Sequence, residues 1–181
     1  MINQDFSNSQ VPFEYIPNAD DVTYKKLENS YLIVRIASIV MTALILVAIF
    51  YAVSEWLDWI TFIPAQFHKY VYIGILAISI LSLVSAYFGF AFKGYALRQK
   101  DILYRSGWIT KEWVHVPFSR AQHSEVSQGV LDRFFGLAKL KVFTAGGSKS
   151  DLTIPGLPMQ KAHDMKQFIL EKIKYDFGEE E

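Results

Sequence analysis

Hydrophobic positions fall into distinct regimes along the chain. The run from Val71 to Phe92, VYIGILAISILSLVSAYFGFAF, contains no charged residue, and neither does Ile36 to Ser54, IASIVMTALILVAIFYAVS. As helices these reach about 33 Å and about 28 Å, against a hydrocarbon core of roughly 30 Å, so they predict transmembrane helices at 36–54 and 71–92, joined as a hairpin. Only Lys93 and Gly94 separate the second run from a new pattern of short apolar stretches broken by turn residues, the signature of antiparallel strands.

In that C-terminal part YALRQ is followed by a two-residue turn at Lys100-Asp101, then by ILYRSGW and EWVHVPF, where Val114, Val116 and Phe118 alternate with Trp113 and His115. LAKLKVFT sets Ala138, Leu140 and Val142 on one face and Lys139 and Lys141 on the other, whereas AQHSEVSQ alternates too weakly to predict a strand. Gly146 to Ser150 reads as a hairpin loop, and DLTIPGL as the return strand, with Pro155 favouring an edge or a strand end. Pro158 suits the first turn of a helix whose apolar stripe is Ala162, Met165, Ile169 and Ile173. Residues 95–177 are therefore expected to form one cytoplasmic domain of about six strands and a closing helix.

Residues 1–35 predict a cytoplasmic tail, interrupted by Pro12 and Pro17, and then an interfacial helix carrying Tyr24, Leu27, Tyr31 and Val34 at helical spacing. Residues 55–70, EWLDWITFIPAQFHKY, form an aromatic loop expected to lie along the opposite membrane surface. That loop has only Lys69, whereas Lys25, Lys26 and Arg35 precede the first span and Lys93, Arg98, Lys100, Arg105 and Lys111 follow the second. This asymmetry predicts a multi-pass protein with both termini cytoplasmic. No leader pattern opens the sequence, so the first span is expected to direct insertion.

Charge and chemistry narrow the function classes. The formal net charge is zero, and residues 93–181 hold fourteen Lys/Arg against eleven Asp/Glu, too small an excess for a nucleic-acid partner but compatible with a neighbouring anionic bilayer. The absence of cysteine removes disulfides, thiolate metal sites and cysteine nucleophiles together. His115 and His123 lack ligand spacing, and Lys149-Ser150 lacks the glycines that a phosphate loop needs at Phe143 and Ser148. No serine lies in a nucleophile elbow, and no charged residue lies inside either span to carry ions or protons. The expectation is a non-enzymatic protein without a cofactor or metal.

The points Arg120-Ala121-Gln122, Val126, Ser127-Gln128-Gly129, Leu131, Asp132-Arg133, Phe135-Gly136-Leu137, Thr144-Ala145-Gly146-Gly147 and Ile154-Pro155-Gly156-Leu157 resemble the signature of the bacterial membrane-anchored PH-like domain family, the YdbS-like proteins. The resemblance covers Tyr95 to Ile173. It implies an α+β membrane protein in which a two-helix transmembrane hairpin precedes a PH-like antiparallel β-barrel, two roughly perpendicular sheets with a C-terminal helix capping one open end. Leu131, Phe134, Phe135 and Leu137 are expected to seal that barrel. Arg120, Gln122 and Arg133 are harder to account for by packing and are expected either to form a polar network at a strand corner or to line a recognition surface. The candidate recognition or structural positions are thus Arg120, Gln122, Gln128, Gly129, Arg133, Gly136, Thr144 and Gly146.

Two roles follow as expectations. One is presentation of the module at the inner leaflet of the bacterial plasma membrane for assembly with itself or a related membrane protein carrying PH-like domains, in envelope maintenance. The other is sensing of anionic lipid headgroups through Arg98, Lys100, Arg105 and Lys111. The spacings Ser82 to Ala86 and Ser85 to Gly89 would also permit close helix approach in an oligomer.

Overall fold

The computed structural model describes residues 22–56, 65–145 and 151–176. The expected tail, most of the aromatic loop, the hairpin loop that includes Gly146, and the last five residues lie outside these. The element order is β1 (Lys25–Lys26), α1 (Asn29–Trp56), a 3-10 turn (Ala65–Phe67), α2 (His68–Phe92), β2 (Gly94–Leu97), β3 (Asp101–Ser106), β4 (Glu112–Pro117), a second 3-10 turn (Phe118–Arg120), β5 (Ala121–Ser127), α3 (Val130–Phe134), β6 (Leu137–Thr144), β7 (Leu152–Pro158) and α4 (Met159–Asp176).

Two antiparallel sheets, ordered β1-β2-β3-β4 and β5-β6-β7, share one core with α4. Ile102, Val116 and Phe118 from the first sheet and its corner meet Leu140, Val142, Leu152 and Ile154 from the second. Tyr104 is buried among them, and that burial raises its phenol pKa above the ordinary value. The stripe Ala162, Met165, Ile169 and Ile173 lies against this core as its spacing predicts, and Phe168 meets Phe118 edge to face at 6.0 Å.

Four local differences from the sequence reading have physical causes. AQHSEVS is strand β5, and a register shift between Ala121 and His123 turns both Ala121 and Ser124 inward, which breaks the alternation that would have marked it. The turn between β2 and β3 is closed by Arg98 N–H donating to the Asp101 carbonyl at 2.9 Å, so Asp101 opens β3 and is not a turn centre. Phe134 and Phe135 do not seal the barrel: both are exposed, and of the four residues expected there only Leu137 is fully buried, with Leu131 packed partly against the core.

The fourth difference sets the architecture. Residues 22–28 are not helical. Lys25 and Lys26 pair with Tyr95 and Gly94 as the edge strand β1, and the helix begins only at Asn29. Leu27, Tyr31 and Val34 keep their helix-like spacing but are buried in the domain core and not at an interface. The helix pair therefore leaves the first sheet after β1 and returns to it at β2, an internal insertion in the domain.

Candidate functional site

The end of the domain nearest the helices is built on Tyr31. Its ring packs near Phe90 with centroids 6.4 Å apart, and Lys93 Nζ lies 4.9 Å from the ring centre and donates to the Tyr31 hydroxyl at 3.1 Å. On the other side Tyr31 lies against Gly156 of β7, whose carbonyl accepts the Glu28 N–H at 3.3 Å. Gly156 has φ +64°, and β7 gains a residue on β6 here, because Ala138 pairs with Leu157 and Leu140 with Ile154. The bulge makes room for α1.

Two apolar projections flank the helices. The turn from Gly107 to Lys111 reaches α2: Trp108 packs against Phe88 with ring centroids 5.4 Å apart and planes tilted by 31°, its indole N–H donates to Ser85 Oγ at 3.4 Å, and Lys111 Nζ lies 5.9 Å from the Phe92 ring centre. Ile109 at its tip is 77% exposed. Beside α1, the short helix α3 shows Val130 and Phe134 to the outside, 78% and 81% exposed. Single exposed apolar residues are ordinary, but clusters on both sides of two bare apolar helices are not. Sequence reasoning passed over Trp108 and Ile109; the signal was there, since Gly107 and Thr110 bracket two large apolar residues in a turn.

The signature residues divide into two groups. Gln128, Gly129 and Gly136 build the corner around α3. Gln128 Nε2 donates to the Leu137 carbonyl at 2.6 Å, and Gly129 N–H donates to Asp132 Oδ2 at 3.1 Å. Buried Asp132 also meets Lys139 Nζ at 3.2 Å. Gly136, at φ +64°, leads the chain into β6 and accepts the Met159 N–H at 3.0 Å. Thr144 closes the neck of the β6–β7 hairpin by donating through its N–H at 2.8 Å, and through its hydroxyl, to Asp151, whose carboxyl is held below its ordinary pKa first by the hydroxyl and then by the N–H.

Arg120, Gln122 and Arg133 form no polar network: their side chains are exposed and have no hydrogen-bond or charge partner among the described residues. Arg120 and Gln122 lie at the start of β5 and Arg133 on α3 beyond its end, so the length of β5, about 20 Å, separates them. His123 stacks on Phe143 at 4.3 Å and does not converge with either arginine.

The four basic residues considered for headgroup binding are also divided. Leu97 pairs with Ile102 at one end of the β2–β3 ladder and Gly94 with Arg105 at the other. Arg98 and Lys100 are therefore at the end remote from the helices, and Arg98 is already held by Asp101 at 2.5 and 2.6 Å. Asp101 also meets His115 Nε2 at 2.9 Å; the Arg98 bond first, and the His115 bond after it, lower the Asp101 pKa despite the opposing effect of burial. Arg105 lies 4.4 Å over the Tyr24 ring, so of the four only Arg105 and Lys111 are near the helix pair.

The family model of the bacterial PH domain matches residues 26–173, from β1 to the last buried residue of the α4 stripe. The chain belongs to the bacterial PH domain family. No curated protein and no solved structure gave a match. PH-like domains are generally non-catalytic, and the matched region includes the helix pair as an internal segment of this bacterial PH domain. Both helices are long and apolar enough to cross a membrane, and only 6% and 0% of their most apolar windows are buried, unlike the core helix of a soluble domain.

Proposed function

We propose that this bacterial PH domain protein is a non-enzymatic plasma-membrane protein whose helix pair crosses the bilayer, with both chain ends cytoplasmic, and which presents its module at the inner leaflet to protein partners, either itself or a related membrane protein carrying PH-like domains, in envelope maintenance. The observation that carries this reading is the insertion of the hairpin into the domain. With Leu27, Tyr31 and Val34 in the core and β1 paired to β2, the module is bound to the helices at two points, which holds its orientation relative to the helix pair. A module held in this way keeps its remote end, with Arg120, Gln122 and Lys100, turned toward the cytoplasm, and its high local concentration favours neighbours in the same plane. The Lys/Arg asymmetry supports the orientation.

A second reading, contact with anionic lipid headgroups, is favoured by the helix-proximal end, where Lys111 lies in the same turn as exposed Ile109, Arg105 is on the neighbouring strand, and Phe134 projects beside α1. Photoreactive side chains placed in the full chain in cells test both. Expected are protein adducts from Gln122 and lipid adducts from Ile109 and Phe134. Lipid adducts from Gln122, or protein adducts at none of the remote positions, would sink the first reading.

A further inference from the structure

Between α1 and α2 a groove of about 690 Å³ runs up from the domain end of the hairpin. Its mouth carries Arg35 and Lys93, and no acidic residue lines it among the described residues; Asp132, which shares a separate smaller cleft with Arg35, is paired with Lys139. Arg35 has no partner among the described residues, and Lys93 is bonded only to the neutral Tyr31 hydroxyl. Two cations without a carboxylate between them are an incomplete electrostatic site, whose natural complement is an anion.

The rest of the groove does not suit a free anion. Above the mouth its walls are Leu46, Ile75 and Ile78, and the hydroxyls of Ser38, Thr42 and Ser79 donate to backbone carbonyls of their own helices at 2.8, 2.8 and 2.7 Å. On α1 the lining runs from Arg35 to Leu46, eleven helical steps or about 16 Å, and on α2 from Lys93 to Ile75, eighteen steps or about 27 Å, against roughly 15 Å for half of a hydrocarbon core. The groove is at least one leaflet deep, cationic at its mouth and apolar beyond it.

A helix from a second copy fits less well. It would bring another Arg35 and Lys93 to the level of the first pair, where the helices carry no acidic residue to offset them.

We propose that the groove holds one acyl chain of an anionic phospholipid of the inner leaflet, with its phosphate between Arg35 and Lys93. The proposal rests on the membrane-spanning reading above and names a site other than the β-strand cations considered there. Ser82 and Gly89 keep the wall low enough to admit the chain.

The test uses the full chain purified in detergent, with bound lipid counted by native mass spectrometry during titration with phosphatidylglycerol or phosphatidylcholine. One phosphatidylglycerol per chain is expected, retained about tenfold more strongly than phosphatidylcholine. The Arg35→Gln/Lys93→Gln double variant should remove that preference, Lys93→Arg should keep it, and Ser82→Phe, which leaves both cations in place, should expel the lipid. Equal retention of the two lipids, retention unaffected by Ser82→Phe, displacement by equimolar inorganic phosphate, or a dimer that forms only as lipid leaves would each overturn the proposal. An alkaline carbonate wash separates the two levels of failure. A chain released from membranes by the wash defeats the membrane-spanning reading itself, whereas a chain that stays in the membrane but carries no lipid defeats only the lipid site.

Discussion

Tyr31 lies across Gly156, and the contact leaves no room for a side chain: a Cβ at Gly156 would stand 2.6 Å from both Cβ and Cγ of Tyr31. Gly156 also has φ +64°, so alanine there meets backbone strain and a steric overlap at the point where α1 joins the domain. Gly136 has the same φ but open space around it, and it isolates the first cost. Gly136→Ala is expected to lower stability by about 1–2 kcal/mol, and Gly156→Ala by distinctly more, in denaturant unfolding of the detergent-solubilised chain. Equal losses would mean that Tyr31 can move aside and that α1 is not fixed to β7.

Asp101 should mark the remote end of the first sheet by its pH dependence. Its carboxylate is stabilised in the fold chiefly by Arg98 and secondarily by His115, so its folded pKa lies below the unfolded one. The contribution to stability is thus complete above the unfolded carboxylate value and is lost as pH falls through the folded value. Because Arg98 and His115 are about half exposed, Asp101→Asn is expected to cost only about 0.5–1 kcal/mol at pH 7. The gap between wild type and variant should close below about pH 4; a gap independent of pH would assign it to packing.

What the sequence made legible depended on regularity. The stripe from Ala162 to Ile173 and the alternation Ala138, Leu140, Val142 were visible because α4 and the central part of β6 repeat without interruption. β5 was hidden by its register shift near Ala121, and β1 by its brevity, since two lysines become a strand only through Gly94 and Tyr95, which the chain reaches after both helices. Phe134 and Phe135 were assigned to the interior on hydrophobicity alone, which cannot distinguish a core position from an exposed apolar one. Of the signature, Gln128, Gly129 and Gly136 converge on one corner, while Arg120 and Arg133 are close in sequence but kept apart by the strand between them. The groove above Arg35 and Lys93 has no local motif because its two walls belong to different helices.

Asp132 should hold α3 in place. It accepts the Gly129 N–H, pairs with Lys139 and is 4% exposed, so replacing it takes a buried charged acceptor from both the Gly129 N–H and the lysine. Asp132→Ala is expected to cost about 1–3 kcal/mol and to speed amide exchange across residues 129–136. Asp132→Asn, which can still accept from Gly129, should lose less. Unchanged exchange in the alanine variant would show that the glycine turns hold α3 without it.

The two apolar projections make the most direct prediction about the membrane. The sequence has no cysteine, so single substitutions at Ile109, Phe134 and Gln122 can each carry a nitroxide without background. Ile109 and Phe134 flank the helices from opposite elements, whereas Gln122 is at the far end of β5. A module held with its helix-proximal end in the leaflet should give labels at Ile109→Cys and Phe134→Cys that are relaxed by oxygen and shielded from an aqueous nickel complex, with the reverse at Gln122→Cys. Tryptophan prefers the boundary region, and Lys111 beside Phe92 can extend to the headgroups, so Trp108 should set the depth of its turn. Trp108→Ala is therefore expected to shift the Ile109 label toward water and to leave the Phe134 label where it was. Three labels of equal aqueous access in bilayers would refute the fixed orientation on which the presentation of the remote surface depends.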